Sequence, residues 1–192
     1  MLKKAYLEIT NVCNLSCAFC PGTRREKGFL TQEGFSLLAG KLRPHTKYLY
    51  LHLMGEPLLH PQLGEILARA EALGFRVMVT TNGTLLEERG GLLLDSPAVE
   101  RVSVSLQSFE GSGGERPEAY AASCAAFAQA ATSAGKRCAL RLWNLDGADT
   151  RGANALNGAI LAQLERTFPK PWREGWQGTT LAQRFFGVGG AV

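Results

Sequence analysis

Stretches with the pattern of a β-strand alternate with stretches with the pattern of an α-helix through most of this 192-residue chain. The pattern predicts strands at residues 4–10, 48–54, 76–81, 101–108 and 136–144 and helices at residues 31–42, 61–73, 84–94, 117–134 and 153–166. Thr31 is expected to cap the first helix, and Pro61 and Gly74 to open and close the second. Strands and helices that alternate in this way form right-handed βαβ units and therefore a parallel sheet.

The two faces of the predicted strands differ in polarity. The second strand places Leu49, Leu51 and Leu53 on one face and Tyr50 and His52 on the other, because side chains alternate across a strand. In a doubly wound sheet helices cover both faces, and both would be apolar. We therefore predict an α/β fold, a partial (β/α) barrel of about five parallel strands whose apolar faces meet the helices.

The polar faces of these strands are expected to line a lumen that holds a polar ligand. The alternative is that these polar groups pair with one another or with water, without a ligand. The residues concerned are Glu8, His52, Ser103, Ser105, Gln107 and Arg141.

Three cysteines, Cys13, Cys17 and Cys20, lie at C-x3-C-x2-C spacing directly after the first predicted strand. Thiolates hold iron–sulfur clusters, and three of them on a four-iron cluster leave one iron open. A zinc site would need a fourth Cys or His at short spacing, and none lies near. A ferredoxin-type run would also bring a fourth cysteine. The spacing therefore favours a catalytic cluster over a structural metal site or a chance group of thiols.

This loop, with Phe19 directly before its last cysteine, resembles the signature of the radical S-adenosylmethionine (SAM) enzymes. The resemblance implies that Cys13, Cys17 and Cys20 bind a [4Fe–4S] cluster whose open iron is chelated by the methionine part of SAM. It also implies reductive cleavage of SAM to methionine and a 5′-deoxyadenosyl radical, which takes a hydrogen atom from a substrate. Phe19 is expected among the residues that bind SAM.

Met54-Gly55-Glu56-Pro57, after the second strand, resembles the Gly-Gly-Glu-Pro motif of the same family, with Met54 in place of the first glycine. The resemblance implies that Gly55 and Glu56 bind the SAM ammonium group. Gly-Glu-Pro is also a common turn sequence, which is the alternative interpretation.

Three further positions at strand ends are similar to SAM-binding positions of the family. Asn82 and Ser105 are expected to contact the ribose or carboxylate of SAM, and Arg141 to pair with the carboxylate through its planar guanidinium. Gln107 stands where many members carry aspartate. The alternative for Arg141 is a lumen charge balanced by a carboxylate of the chain, Glu8 or Glu56.

The composition excludes several classes of function. Hydrophobic residues make up 45% and charged residues 20%, as in ordinary soluble domains. The net charge is only +4 and the basic residues are scattered, so no nucleic-acid partner is expected. Without a long apolar run or a signal-peptide core, we expect no membrane span and a cytoplasmic location. Cys124 and Cys138 are interpreted as structural thiols rather than disulfide partners.

Residues 1–166 are predicted to form the radical SAM core and residues 167–192 an irregular tail. Members of the family usually have six strands, and many add a cysteine-rich extension of the SPASM or Twitch type. No sixth strand is predicted in the tail, so a truncated or frameshifted chain is expected. The fifth strand, residues 136–144, would then be an exposed edge.

The expected partners are an unidentified small-molecule or peptide substrate and a reducing protein such as flavodoxin or ferredoxin. Two alternatives to an active enzyme remain at this point. One is an inactive or partial cluster-binding fragment of such an enzyme, and the other is a binding module stabilised by zinc.

Overall fold

The computed structural model of the protein describes residues 2–113, 115–142, 156–168 and 184–188. Its elements in chain order are β1 (Ala5–Tyr6), α1 (Gln32–Leu42), β2 (Tyr48–Tyr50), a 3₁₀ turn (Pro57–Leu59), α2 (Leu63–Ala72), β3 (Arg76–Thr81), α3 (Leu86–Arg89), α4 (Gly91–Asp95), β4 (Val99–Ser105), a longer 3₁₀ segment (Leu106–Ser112), α5 (Pro117–Ser133), β5 (Arg137–Leu142), α6 (Asn157–Thr167) and β6 (Arg184–Val188). Parts of the predicted fifth strand (143–144) and last helix (153–155) lie outside the described residues.

The strands form one sheet in the order β1-β2-β3-β4-β5-β6. The first five strands pair in parallel with their sequence neighbours. A parallel strand needs a crossover connection, and helices fill these connections along the chain. The predicted fold class, a partial barrel with five parallel strands, is confirmed.

The sixth strand corrects one expectation. Residues 184–188 pair with β5 in the antiparallel direction, with Leu140 opposite Phe186, so β5 is not an edge. The prediction failed because a short segment with a glycine, Phe185-Phe186-Gly187-Val188, has little strand signal of its own. Such a segment becomes a strand when a neighbouring edge offers unpaired backbone groups.

The apolar faces of the strands are buried as predicted. Leu49 and Leu51 of the second strand region and Val102 and Val104 of β4 lie in the core. Leu53 differs, with 65% of its surface exposed. The inter-strand hydrogen bonds of β2 continue only to Leu51, so Leu53 no longer follows the alternation of the strand.

β1 is shorter than predicted because the chain changes partner after it. Leu7 still donates its amide hydrogen to Tyr50, but Thr10 forms an antiparallel bridge with Phe29. The chain from residue 11 to residue 28 therefore leaves the sheet and returns to it beside its own starting point. This loop carries the three clustered cysteines, and α1 follows it with Thr31 as the predicted cap, whose Oγ1 accepts from the Gly34 amide.

None of the helices in the described part of the chain combines the length and the apolar character that crossing a membrane requires.

Candidate functional site

A cavity of about 560 Å³ lies at the carboxyl ends of the strands. The connections after β1, β2, β3 and β4 and the end of β5 all contribute to its walls. All the residues predicted to bind the cluster or SAM line this one cavity: Cys13, Cys17, Phe19, Cys20, Gly55, Glu56, Asn82, Ser105 and Arg141. These residues come from five separate segments of the chain, and their individual roles remain predictions. Two residues of the predicted lumen, Glu8 and Ser103, do not line the cavity.

The side chain of Asn11, at the start of the cysteine loop, forms hydrogen bonds with the backbone at the end of the loop. Its Nδ2 donates to the carbonyl of Glu26 at 2.8 Å, and its Oδ1 accepts from the amide of Gly28 at 2.8 Å. The Nζ of Lys27 donates to the carbonyl of Asn11 at 2.8 Å. The loop is thus closed at its base by one buried amide side chain.

The three thiols differ in exposure. Cys13 and Cys20 are exposed and Cys17 is half-buried. The Sγ of Cys17 donates to the carbonyl of Ser108 at 3.5 Å, which ties the loop to the segment after β4. Burial raises the pKa of Cys17, and the neighbouring Cys13 and Cys20 raise it further by like-charge repulsion.

No group of three His, Cys, Asp or Glu side chains is placed to hold a metal ion in the part of the chain that the structure describes. This is a statement about one ion held by several side chains. In a four-iron cluster each thiolate binds its own iron, so its sulfur atoms stand farther apart than ligands of a single ion. Three thiols on one short loop at the mouth of one cavity are therefore a donor set that suits a cluster.

Gly55 allows the turn after β2 to pack closely against the backbone at the start of the cysteine loop. Its φ is +77°, and a Cβ at this position would lie 2.6 Å from the carbonyl oxygen of Thr10 and 2.8 Å from that of Val12. The next residue, Glu56, donates its amide hydrogen to Val12 at 2.8 Å. Only glycine permits this contact, so Gly55 positions the cysteine loop relative to the sheet.

The carboxylate of Glu56 is buried and accepts hydrogen bonds from two backbone amides. Oε1 accepts from Leu58 at 3.0 Å and Oε2 accepts from Asn82 at 2.7 Å. Burial raises the pKa of Glu56, and these amides oppose the shift. The side chain therefore joins the turn after β2 to the turn after β3. A direct contact between this carboxylate and SAM remains a prediction.

Asn82 is held from several sides and reaches the cysteine loop. Its Nδ2 donates to Asn14 Oδ1 at 2.9 Å and lies 3.9 Å from the sulfur of Cys13. Its carbonyl accepts from the buried hydroxyl of Tyr120 at 2.6 Å. The ring of Tyr120 stacks on Phe109, with centroids 4.1 Å apart. Tyr120 therefore braces both the Asn82 turn and the 3₁₀ segment that contacts Cys17.

Arg141 projects into the cavity without a carboxylate partner among the described residues. One terminal nitrogen donates to Ser103 Oγ, and the buried Nε has no hydrogen-bond partner. Burial lowers the pKa of Arg141, and the nearby Arg101 lowers it further. The alternative in which Glu8 or Glu56 balances this charge is wrong. Glu8 instead binds Arg25 at 2.6 Å, and Glu56 caps backbone amides.

Two more polar atoms of the predicted lumen lack partners. Oε1 of Gln107 and Nδ1 of His52 are buried without a hydrogen bond, although His52 Nε2 lies 3.1 Å from the hydroxyl of Thr80. Both residues line the cavity. Unpaired buried polar atoms that face a cavity are costly unless a ligand or water satisfies them.

The stability of the protein should depend on pH through His52. Burial, followed by the charges of Arg141 and Lys4, lowers its pKa from 6.5 to about 4. Between about pH 4 and 6.5, His52 is therefore protonated in the unfolded chain but neutral in the folded protein. Stability should be complete above about pH 6.5 and fall by about 3 kcal/mol as the pH drops toward 4.

Urea unfolding of the wild type and His52→Gln between pH 4 and 7 measures this effect. The variant should lose this part of the pH dependence, whereas His45→Gln, at an exposed histidine, should keep it. Parallel pH profiles for wild type and His52→Gln would contradict the prediction.

Two contributors to the site escaped the sequence analysis. Lys27 lines the cavity, yet a lone lysine in a loop carries no signal of that position. Tyr120 lies in an alanine-rich helix, where its spacing with Phe127 indicates only a core stripe. Tyr120 contributes through its hydrogen bond to Asn82, 38 residues away in the chain. Lys27 contributes through its hydrogen bond to Asn11, 16 residues away.

The fold and the cavity together define a class of protein. A parallel partial barrel carries three clustered cysteines on the loop after its first strand, beside a cavity with unpaired polar atoms. The family model described as the Radical SAM superfamily matches residues 7–128, more than half of the chain. The chain therefore belongs to the radical SAM superfamily, a family of enzymes, and membership supports SAM-dependent radical chemistry in general.

Several proteins are similar in sequence to this chain over part of their length. The GTP 3′,8-cyclase of Synechococcus sp. (strain CC9902) is 35% identical over 166 residues, which are 80% of this chain and 44% of the relative. A Pyrococcus furiosus protein named tungsten-containing aldehyde ferredoxin oxidoreductase cofactor-modifying protein is 33% identical over 91 residues, 45% of this chain and 26% of the relative. The chain thus spans less than half the length of these relatives.

The crystal structure of Streptococcus suis SuiB bound to S-adenosylmethionine has the same fold. The two are 17% identical, and the TM-score is 0.60 over 86% of this chain and 38% of SuiB. At this identity the likeness concerns the fold alone.

Proposed function

We propose that this chain is a radical SAM core that holds a [4Fe–4S] cluster through Cys13, Cys17 and Cys20 and binds SAM in the adjoining cavity. The observation that carries the proposal is the convergence of nine predicted residues from five segments on a single cavity. When bound, the cluster and SAM supply the electron and the reactive species that removes a hydrogen atom from the substrate. The residues of the chain bind, orient and enclose these groups.

The groups around the cavity suit the parts of SAM. The Arg141 guanidinium, with a buried unpaired Nε, is a partner for a carboxylate. The turn at Gly55 presents backbone beside the cysteine loop, as close approach to an ammonium group requires. Ser105, at the end of β4, is the register partner of Arg141 and lies on the same wall. Phe19 adds a half-buried ring on the loop itself.

The test is SAM cleavage. After anaerobic reconstitution with iron and sulfide and addition of dithionite, the protein should convert SAM to 5′-deoxyadenosine and methionine in equal amounts. A variant with Cys13, Cys17 and Cys20 all changed to alanine should produce neither. Protein that carries a four-iron cluster but releases no 5′-deoxyadenosine would favour the inactive fragment instead. The proposed function also requires a small-molecule or peptide substrate and an electron donor such as flavodoxin or ferredoxin.

Arg141→Met should weaken SAM binding without loss of iron. Removing one charge-assisted hydrogen bond costs about 1.5–3 kcal/mol, which corresponds to ~10- to 150-fold in affinity. Titration of SAM against the visible spectrum of the cluster measures the change. Arg69→Met, at an exposed arginine on α2, is the matched control and should bind SAM as the wild type does. Equal affinities for wild type and Arg141→Met would remove Arg141 from the SAM site.

A further inference from the structure

The concave face of the sheet continues below the cavity, toward the amino ends of the strands. One transverse row of register partners crosses β1 to β5 at this level. Its members are Tyr6, Tyr50, Met78, Arg101 and Arg137. Because side chains alternate along a strand, this row shares its face with Thr80 and Ser103, which lie two residues farther along β3 and β4.

Small side chains separate this row from the cavity. Thr80, Ser103 and Ala139 are register partners on β3, β4 and β5, directly above the row. Ser105 and Arg141 follow two residues later and line the cavity. The side chains at this level are small, and the Arg141 guanidinium reaches down to it and donates to Ser103 Oγ, so Arg141 lies between the cavity and the row.

An aromatic cluster occupies one end of the row and connects it to the cavity. The rings of Tyr6 and Tyr50 have centroids 4.8 Å apart. The ring of His52, which lines the cavity, lies 5.8 Å from Tyr6 and 5.7 Å from Tyr50. Tyr6 keeps 44% of its surface exposed, so the cluster is open to a ligand from outside.

A positive charge lies beside these rings, and a second one lies farther along the row. The Nζ of Lys4 lies 5.1 and 5.2 Å from the centroids of Tyr6 and Tyr50 and donates to the Tyr6 hydroxyl at 3.1 Å. Arg101, half-buried in the row, stands close enough to Arg141 for the two charges to repel.

The acidic groups nearby are already engaged. Glu8 binds Arg25, and Glu100 binds both Arg76 and Arg137. Among the described residues, neither Lys4 nor Arg101 forms an ion pair. His52 adds no negative charge, and its low pKa keeps it neutral at pH 7.

We propose that this lower part of the concave face, formed by Lys4, Tyr6, Tyr50 and Arg101, binds an oxyanion of the ligand, a carboxylate or a phosphate. Lys4 and Arg101, neither of which forms an ion pair within the described part of the chain, supply the attraction, and the tyrosines supply a wall and hydroxyl donors. That this ligand is the substrate rests on the proposed function, because the lower face meets the cavity at His52 and Arg141. The oxyanion site itself depends only on the chain and needs neither cluster nor SAM.

Isothermal titration of the cluster-free protein tests the site at low ionic strength, where such attractions are least screened. Inorganic pyrophosphate and succinate are the two probes, one for each kind of oxyanion. Wild-type protein should bind at least one of them saturably. Lys4→Met/Arg101→Gln should weaken that binding by about 10-fold or more, as expected for the loss of charged hydrogen bonds.

The control is Lys41→Met/Arg69→Gln, which removes the same charges from exposed positions on α1 and α2. It should bind the probes as the wild type does. Lys4→Met alone, at an exposed side chain, cannot unfold the core and should weaken binding in the same direction. Absence of saturable binding to wild type, or equal weakening in the control, overturns the proposal. Tighter binding of pyrophosphate supports a phosphorylated ligand, and tighter binding of succinate a carboxylate.

Discussion

Replacing Cys13, Cys17 or Cys20 singly with alanine should remove nearly all iron and sulfide from anaerobically reconstituted protein. The wild type should hold about four of each per chain, since a [4Fe–4S] cluster has that composition. In a four-iron cluster each thiolate binds a different iron, so the remaining cysteines of the loop should not replace a lost ligand. Iron and sulfide analysis, together with the broad visible absorbance of the oxidised cluster, measures the effect.

Cys124→Ala and Cys138→Ala are the matched controls. Both thiols are buried in the core, away from the cavity, and burial raises their pKa to about 12, so we expect neither to act as a thiolate ligand. Both variants should therefore keep the full iron content. Loss of iron in Cys124→Ala with retention in Cys17→Ala would show that the loop is not the cluster site. If metal analysis found zinc in place of iron, the alternative of a zinc-stabilised binding module would be favoured.

Gly55→Ala should destabilise the fold by about 2–5 kcal/mol. A left-handed backbone conformation costs a residue with a side chain about 1–2 kcal/mol, and overpacking adds about 1–3 kcal/mol. Here the new Cβ would meet the carbonyl oxygens of Thr10 and Val12, which are backbone atoms and cannot rotate away. The cysteine loop must then shift, so cluster loading should fall as well. Urea unfolding of the cluster-free protein measures the stability change.

Gly22→Ala separates the cost of the backbone conformation from the cost of overpacking. Gly22 also has a positive φ, +65°, but a Cβ there would have no atom within 4 Å. It should lose only about 1–2 kcal/mol, the cost of the backbone conformation. Equal losses at the two positions would mean that the contact at Gly55 does not hold the loop.

The sequence identified the cysteine loop because its three cysteines lie close together in the chain. Cys13, Cys17 and Cys20 lie within eight residues, so their spacing alone predicts a shared function. The strand faces were also predictable, since alternation of polarity is a property of each strand by itself. Thr31 was predicted as a helix cap for the same reason, because a cap bonds within its own turn.

Contacts between distant segments could not be predicted in this way. Glu56 reads as part of a SAM-binding motif, yet its carboxylate accepts from the Asn82 amide, 26 residues away. The Tyr120 hydroxyl bonds the Asn82 carbonyl across 38 residues. No local pattern encodes either pairing, because each depends on two strand ends that meet only when the sheet forms.

The sequence by itself thus determined the parallel barrel type, the cysteine loop and the polar side of the sheet. Only the tertiary structure decided that Arg141 has no carboxylate partner among the described residues, that Lys4 and Arg101 share a face with Tyr6 and Tyr50, and that residues 184–188 pair with β5. The physical reason is one of range. Polarity alternation and ligand spacing act between residues near in the chain, whereas charge balance and edge pairing depend on which segments become neighbours in the sheet.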